Sequence, residues 1–152
     1  MKTAVISDTH NNLANLEKAI NWITKEKIKL ILHCGDISTQ ETIDFAQKKF
    51  DGEIKFAKGN ADYDLRLPEK DEIEFNGRRV AFCHFPDVAK KLAQSGKFDL
   101  VFYGHTHRAW DEKIGDCHMI NPGELAGQFY KPTFAVYDTA TGQLELKILE
   151  KI

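Results

Sequence analysis

The sequence has few cysteines. Only Cys34, Cys83 and Cys117 are present, and they are widely separated with no CxxC pair, so neither a zinc ribbon nor a redox motif is indicated. Cys34 and Cys83 each lie within two residues of a candidate site residue. We interpret all three thiols as free side chains that pack near the core, because neither Cys34 nor Cys83 has an obvious activating base.

The sequence also lacks a charge excess and long apolar runs. Its 21 basic and 23 acidic residues give a formal net charge of −2, and no basic cluster appears, so a nucleic-acid partner is not indicated. The first apolar run ends at Asp8 and is too short for a signal peptide. No stretch approaches the length of a membrane span. We therefore expect a cytoplasmic protein with no membrane partner.

What is present is typical of a globular protein. The chain has 152 residues, of which 42% are hydrophobic and 29% charged, enough to bury one substantial core. No internal repeat, linker or low-complexity tract divides it. We therefore predict a single domain spanning residues 1–152.

The first half of the chain alternates between strand and helix patterns. Buried strands are predicted at residues 2–7 and 30–33, and a third at 53–58. Apolar side chains at three- and four-residue spacing predict a helix after the first strand, and Ser38–Glu41 has the pattern of a capping box that opens the second helix. This βαβαβ order predicts a parallel sheet.

The second half has a different pattern. Asn76-Gly77 predicts a tight hairpin between two strands, and a short helix and another strand follow. Beyond Trp110 we predict only short strands separated by turns. The predicted elements are strands 72–75, 79–83, 100–103, 117–120, 133–138 and 143–149, with the helix at 87–94. The whole pattern predicts an α/β fold, a four-layer αββα sandwich of two mixed sheets flanked by helices.

Short polar fragments follow the predicted strands. They are Asp8-Thr9-His10, Gly35-Asp36, Gly59-Asn60, His84 and Gly104-His105-Thr106-His107. Functional groups of open α/β sheets collect beyond the carboxyl ends of the strands, and this mixture of oxygen and nitrogen donors favours a two-metal hydrolytic centre. Taken singly, the first fragment also suits a helix cap and the next two suit ordinary turns. We interpret His33 and His118 as non-ligands, because neither belongs to a fragment at the end of a strand.

In this order the fragments resemble the calcineurin-like metallophosphoesterases, in particular their compact bacterial and archaeal phosphodiesterases. The resemblance implies one metal held by Asp8, His10, Asp36 and His107, and a second held by Asp36, Asn60, His84 and His105, with Asp36 bridging. It implies that a hydroxide between the metals attacks phosphorus. The donors suit Mn, Fe, Ni or Zn better than Mg or Ca, and we expect manganese.

Several residues depart from the family pattern, among them Ala61, Phe85, Glu124 and Asn11, which follows His10 where glycine is common. Ala61 stands where many relatives carry a histidine that protonates the leaving group, so we predict a preference for phosphodiesters with good leaving groups. Asp62 either orients a histidine ligand or is an exposed turn carboxylate. Phe85 replaces a glycine and either narrows the entrance or contacts an aromatic substrate. Glu124 replaces a serine, and it either adds negative charge near the phosphate or is a solvated loop residue.

We therefore predict a metal-dependent phosphodiester hydrolase that acts on a small phosphodiester, with Asp36, Asn60 and Asp62 contributing to catalysis. The alternative is a non-catalytic interaction scaffold on the same fold, because a retromer subunit related to this family shows that fold and chemistry can separate. The presence of all seven donors favours catalysis. The sequence predicts neither the physiological substrate nor the oligomeric state.

Overall fold

Ten strands and three α-helices make up the fold in a computed structural model that describes residues 1–152. The strands are β1 (Lys2–Ile6), β2 (Leu30–His33), β3 (Glu53–Phe56), β4 (Lys70–Phe75), β5 (Arg78–Cys83), β6 (Leu100–Phe102), β7 (Trp110–Ile114), β8 (Cys117–Asn121), β9 (Thr133–Asp138) and β10 (Leu144–Ile148). The helices are α1 (Leu13–Lys25), α2 (Gln40–Lys49) and α3 (Pro86–Gln94), and a 3₁₀ turn at Leu149–Lys151 follows the last strand.

The strands form two mixed five-stranded sheets. The first has the order β10-β9-β1-β2-β3, in which β1, β2 and β3 are parallel and β9 and β10 are antiparallel additions. The second has the order β4-β5-β6-β8-β7, in which β5, β6 and β8 are parallel and both edge strands are antiparallel. Each sheet therefore contains three adjacent parallel strands, whose carboxyl ends lie at one edge of the molecule.

The core between the two sheets is built from alternate side chains of their strands. Val5 and Leu32 of the first sheet pack with Phe82 and Phe102 of the second, and all four are fully buried. Because successive side chains of a strand point to opposite faces, the neighbours of these residues point outward to the helices.

The outer faces of both sheets are covered by helices. Ala4 and Ile6 pack against Leu16 and Ile20 of α1, whose apolar residues recur at helical spacing. On the other side, α3 packs its buried face on the outer side chains of β5, β6 and β8. The order of layers is helix, sheet, sheet, helix, and the predicted fold class is confirmed.

The predicted hairpin at Asn76-Gly77 is present between β4 and β5. Both residues have positive φ, 51° and 73°, which is the backbone that a two-residue type I′ turn requires. The register places Phe75 opposite Arg78, so the turn sets the pairing of the whole hairpin.

Two local predictions were wrong. Strand β7 was not predicted, because its residues are mostly exposed and show no apolar alternation; it forms by pairing with β8, with Trp110 opposite Asn121. The cap of α2 is Thr39 and not Ser38, because the Thr39 hydroxyl accepts from the Thr42 N–H.

No helix combines the length and apolar character needed to cross a membrane.

Candidate metal centre

The structure brings all seven predicted donors to one edge of the molecule. Asp8 and His10 follow β1, Asp36 follows β2, and Asn60 follows β3. From the second sheet, His84 follows β5, and the loop after β6 carries His105 and His107. The parallel strands of both sheets end here, so the two sheets contribute to the same cluster.

Most of these donors have an unusual backbone conformation. Asp8, His10, Asp36, His105 and His107 have φ values of 52°, 45°, 61°, 71° and 63°. Left-handed φ in a residue other than glycine costs on the order of 1–3 kcal/mol and concentrates at functional sites. Aspartate and histidine tolerate this region better than bulky residues do. The donor loops are therefore held in conformations that local preference alone does not favour.

A first group of donors consists of Asp8, His10, Asp36 and His107. One ligand atom from each residue can be chosen so that all four lie within 4.8 Å of one another. His107 Nε2 is 3.3 Å from Asp8 Oδ1, and His10 Nε2 is 3.4 Å from Asp36 Oδ2. Asp8 Oδ1 and His10 Nε2 are buried without a hydrogen-bond partner. Buried polar atoms are rarely left unpaired, and a divalent cation would satisfy both, so these residues fit a metal.

A second group consists of Asp36, Asn60, His84 and His105. Asn60 Oδ1 is 3.0 Å from His84 Nε2 and 3.1 Å from His105 Nδ1. His84 Nδ1 donates to the Cys34 carbonyl oxygen over 2.7 Å, so in the neutral ring Nε2 offers a lone pair. His84 Nε2, Asn60 Oδ1 and His105 Nδ1 therefore lie close together, an arrangement that suits a cation between them.

Asp36 belongs to both groups through a single oxygen. Its Oδ2 is 3.4 Å from His10 Nε2 and 3.3 Å from His84 Nε2, while its Oδ1 accepts from the Ala61 N–H over 2.8 Å. Burial raises the pKa of Asp36, but the contacts with His84 and the Ala61 N–H outweigh it, so the pKa lies below the ordinary value. Asp36 is therefore an ionised carboxylate placed between the two groups.

The carboxylates of Asp8 and Asp36 give the pocket a negative electrostatic potential. The Asp8 carboxylate is the largest cause that raises the pKa of His10, and it acts against burial, which lowers it. Burial also lowers the pKa of His84, but Asp36 and Asp8 together raise it above the ordinary value. A site that stabilises positive charge on its histidines also attracts a metal cation, which competes with protons for the same nitrogens.

Asp62 supports the backbone around Asp36 and contacts no histidine side chain. Its Oδ2 accepts from the N–H groups of Asp36 and Gly59, each over 2.8 Å, and its Oδ1 accepts from the N–H of Ser38 over 2.7 Å. The side chain is fully buried. Both interpretations of Asp62 made from the sequence therefore need correction, because it is neither an exposed turn carboxylate nor the partner of a histidine.

Glu124 is also buried, which contradicts its interpretation as a solvated loop residue. Its Oε2 lies 3.1 Å from His107 Nδ1, and the carboxylate also accepts from backbone N–H groups of residues 128–130. Sequence reasoning missed this contact, because a carboxylate after a Pro-Gly turn has no pattern that marks a partner far away in the chain.

The remaining histidines lie outside the donor groups. His33 is fully buried, and its Nδ1 accepts from the Gly35 N–H over 3.1 Å, so its Nε2–H donates to the Thr9 hydroxyl over 2.9 Å. His118 contacts Asp111 at 3.2 Å instead of any donor. These contacts agree with the interpretation that neither is a ligand.

The three cysteines are buried and free. Burial raises the pKa of the Cys83 thiol to about 12 and that of Cys117 to about 11, and it raises the pKa of Cys34 well above its usual range. Thiols of this kind are poor nucleophiles at neutral pH, which agrees with the interpretation that they pack near the core.

Phe85 lies against the second group of donors. Its ring centroid is 5.0 Å from that of His84 and 5.1 Å from that of His105. Phe85 is partly exposed, so its ring forms an apolar wall beside this group.

Comparison with known proteins identifies relatives of this chain. Residues 1–142 match the family described as the calcineurin-like phosphoesterase superfamily domain. A phosphodiesterase of Methanocaldococcus jannaschii is 30% identical to this chain over 173 aligned positions, which cover 99% of this chain and 100% of that protein.

Solved structures share the fold. An archaeal phosphodiesterase superposes with a TM-score of 0.88 at 27% identity, covering 97% of this chain and 99% of the other. Vps29 of Chaetomium thermophilum superposes with a TM-score of 0.78 at 20% identity, covering 97% of this chain and 93% of the other. At that identity the second likeness shows the fold alone.

Proposed function

The chain belongs to the calcineurin-like phosphoesterase superfamily and is a metal-dependent phosphoesterase, and from this premise we propose that it is a two-metal phosphodiesterase. One observation carries the proposal: seven donors form two groups that share Asp36 Oδ2, and the first group contains two buried atoms without a partner. Both sheets contribute donors, which supports one functional domain over residues 1–152.

The proposed assignment gives the first cation to Asp8, His10, Asp36 and His107, and the second to Asp36, Asn60, His84 and His105. Two divalent cations bound here would activate water as the nucleophile and neutralise charge on the phosphoryl oxygens. The mixed nitrogen and oxygen donors suit transition metals, and we propose manganese, with Fe, Ni or Zn as alternatives.

The protein's own residues prepare the site for this chemistry. The Asp36 carboxylate is held by the Ala61 N–H, and the Asp36 N–H is held by Asp62. His84 is held with Nε2 toward the other donors by the Cys34 carbonyl oxygen. Asp36, Asn60 and Asp62 therefore act together, Asp36 and Asn60 as donors and Asp62 through the backbone of Asp36.

The absence of a proton donor at position 61 supports a diester substrate. Ala61 offers only a methyl group and a backbone N–H, and that N–H already donates to Asp36. Without a general acid, a leaving group must depart with little protonation, which favours esters whose leaving groups have a low pKa. We propose a small phosphodiester as substrate, in a cytoplasmic protein.

Because the fold is similar to that of Vps29, we consider a second candidate function, an interaction scaffold without catalysis. A scaffold does not require buried donors that lack partners, and such atoms destabilise a protein unless something binds them. Asp8 Oδ1 and His10 Nε2 are such atoms, and they therefore support the enzyme over the scaffold.

The test of the proposal is metal analysis combined with turnover of an aryl phosphodiester and the matching monoester in the presence of Mn²⁺. We expect metal-dependent hydrolysis that favours the diester, and we expect Asp36→Asn to weaken binding at both sites. Lys29→Gln, a change at an exposed residue in a surface ion pair, is the control. Metal-independent turnover, or Asp36→Asn with unchanged metal content and activity, would contradict the proposal.

A second experiment addresses position 61. We expect Ala61→His to increase turnover of esters with poor leaving groups more than that of aryl esters, because the imidazole supplies a proton. An unchanged preference would show that the methyl group at position 61 does not determine leaving-group selection.

A further inference from the structure

The two ring nitrogens of His107 face different carboxylates. Nε2 faces Asp8, and Nδ1 faces Glu124, which is fully buried. We propose that Glu124 is a positioning residue, which holds His107 in the Nδ1–H tautomer and holds the following loop so that Phe129 covers the same ring. The contribution of this arrangement to hydrolysis rests on the proposed function, whereas the tautomer of His107 does not.

The contact determines which nitrogen of His107 is available. A carboxylate can only accept a hydrogen bond, and Glu124 Oε2 lies 3.1 Å from His107 Nδ1. The proton of the neutral ring therefore lies on Nδ1, and Nε2 presents its lone pair 3.3 Å from Asp8 Oδ1. In the other tautomer Nε2 would carry a proton, and it could not bind a cation.

The same carboxylate orders the loop that follows. It accepts from the backbone N–H of Phe129 over 3.0 Å and that of Tyr130 over 3.3 Å, and from that of Gln128. Phe129 is 76% exposed, yet its ring centroid lies 5.2 Å from that of His107, edge to face. An exposed ring is thus held against a donor by a loop that depends on the same residue.

The backbone of this segment has other supports. The Glu124 carbonyl oxygen accepts from the Thr133 N–H, the Leu125 N–H donates to the Ser7 carbonyl oxygen, and the Ala126 N–H donates to the Asp8 carbonyl oxygen. The path of the chain through residues 124–126 therefore does not depend on the Glu124 side chain. Changes of that side chain can be made without removing the bonds that join the turn to the residues after β1 and to β9.

A glutamine at this position should preserve the orientation of His107. Three N–H groups, from His107, Phe129 and Tyr130, converge on Oε2, so the amide oxygen of Glu124→Gln must occupy that place. Its NH₂ group then faces the Gln128 N–H, which loses its acceptor. Glu124→Leu has a similar size but removes the acceptor. The two variants therefore separate hydrogen bonding from filling of space.

The experiment reads the His107 tautomer from the ¹⁵N chemical shifts of its ring in metal-free protein in alkaline solution, where imidazoles are neutral. Calorimetry then gives the affinity for Mn²⁺ alone. The matched control is Asp111→Asn. It removes the carboxylate from a second histidine–carboxylate pair, His118 and Asp111, which lies away from the site.

We expect the Nδ1–H tautomer in the unchanged protein and in Glu124→Gln, and its loss in Glu124→Leu. Loss of a carboxylate or similar partner behind a metal-binding histidine weakens metal affinity by about 10–100-fold, so we expect the Mn²⁺ affinity of Glu124→Leu to fall by this factor. Glu124→Gln and Asp111→Asn should keep the Mn²⁺ affinity of the unchanged protein.

An Nε2–H tautomer in the unchanged protein, its appearance in Glu124→Gln, or full Mn²⁺ affinity in Glu124→Leu would overturn the proposal. The first two results are decisive even if Glu124→Leu fails to fold. If the tautomer is as expected but the unchanged protein hydrolyses no phosphodiester, the positioning role stands and the proposed function fails.

Discussion

Space around Asp36 is controlled by a single glycine. A Cβ atom on Gly59 would overlap the Asp36 carboxylate and would lie 2.5 Å from the Asp36 backbone nitrogen. The φ of Gly59 is not positive, so glycine is required here for room and not for an unusual conformation. The sequence shows a glycine before Asn60, but only the structure shows what it makes room for.

We expect Gly59→Ala to weaken metal binding by about 10–100-fold, the range seen when the support of a ligand is removed, because the new methyl group displaces Asp36. Gly96→Ala is the matched control. At Gly96 a Cβ meets open space but φ is +74°, so this change should cost about 1–2 kcal/mol in stability and leave metal affinity unchanged. Equal metal affinities measured by calorimetry for the two variants would contradict this account.

His33 makes stability depend on pH. Burial lowers its pKa from 6.5 to about 4, so between these values the unfolded chain binds more protons than the folded one, and stability falls as pH falls. The difference of pKa corresponds to about 3 kcal/mol. His33→Asn keeps an acceptor near the Gly35 N–H and removes the titrating group.

We therefore expect urea denaturation of metal-free protein to show His33→Asn as less stable than the unchanged protein near neutral pH. This gap should narrow as the pH falls from 6.5 towards about 4. His118→Asn controls for loss of a histidine outside the site. If the free energy of unfolding of the unchanged protein and that of His33→Asn change equally with pH, His33 does not contribute to the pH dependence of stability.

At the scale of elements, the loops after β2 and β3 form one unit. Asp62, which follows β3, accepts from backbone N–H groups of Asp36 and Ser38, which follow β2, and from that of Gly59 in its own loop. The sheet aligns the two strands, with His33 opposite Phe56, but the carboxylate sets how their ends approach each other. The positive φ of Asp36 is thus stabilised by a partner from the neighbouring loop.

We expect Asp62→Asn to lower stability by about 1–3 kcal/mol, because the amide NH₂ group must face a backbone N–H and leave it without an acceptor. Metal affinity should fall with it, since Asp36 loses its backbone support. Asp64→Asn is the control, because Asp64 is exposed in the same loop. If thermal unfolding and Mn²⁺ titration do not distinguish the two variants, Asp62 does not hold the loops.

At the scale of the whole molecule, the candidate centre joins the two sheets. Asp8, Asp36 and Asn60 come from the first sheet, and His84 and His105 come from the second. Sheet-on-sheet packing of Val5, Leu32, Phe82 and Phe102 holds these ends together. Binding of a cation at this edge should therefore stabilise the packing of the sheets as well as the loops.

We expect a chelator to lower the melting temperature of the Mn²⁺-loaded protein. A ligand at 100 times its dissociation constant stabilises the folded state by about 2.7 kcal/mol, which corresponds to about 5–10 °C at this chain length. Asp36→Asn should show a much smaller shift on chelation. A melting temperature that does not respond to Mn²⁺ or to the chelator in the unchanged protein would contradict binding at this edge.

Much of this protein could be predicted from near neighbours in the chain. Apolar periodicity determined β1, β2 and α1, Asn76-Gly77 determined a hairpin, and the strand ends marked the donors from Asp8 to His107. These signals are local, since alternation, helical spacing and turn preference depend on residues a few positions apart. They also carried the family resemblance, which the comparisons confirm.

Only the tertiary structure determined how the donors divide and what supports them. The contact of Glu124 with His107 spans 17 positions, and the contacts of Asp36 with His10 and with Asp62 span 26 positions each. Asp36 and His84, which meet in the second group, follow strands of different sheets. Strand β7 also depends on a partner, because its mostly exposed residues form a strand by pairing with β8. A buried carboxylate and a solvated one look alike in sequence, because what distinguishes them is the N–H groups that the folded chain brings within hydrogen-bonding distance.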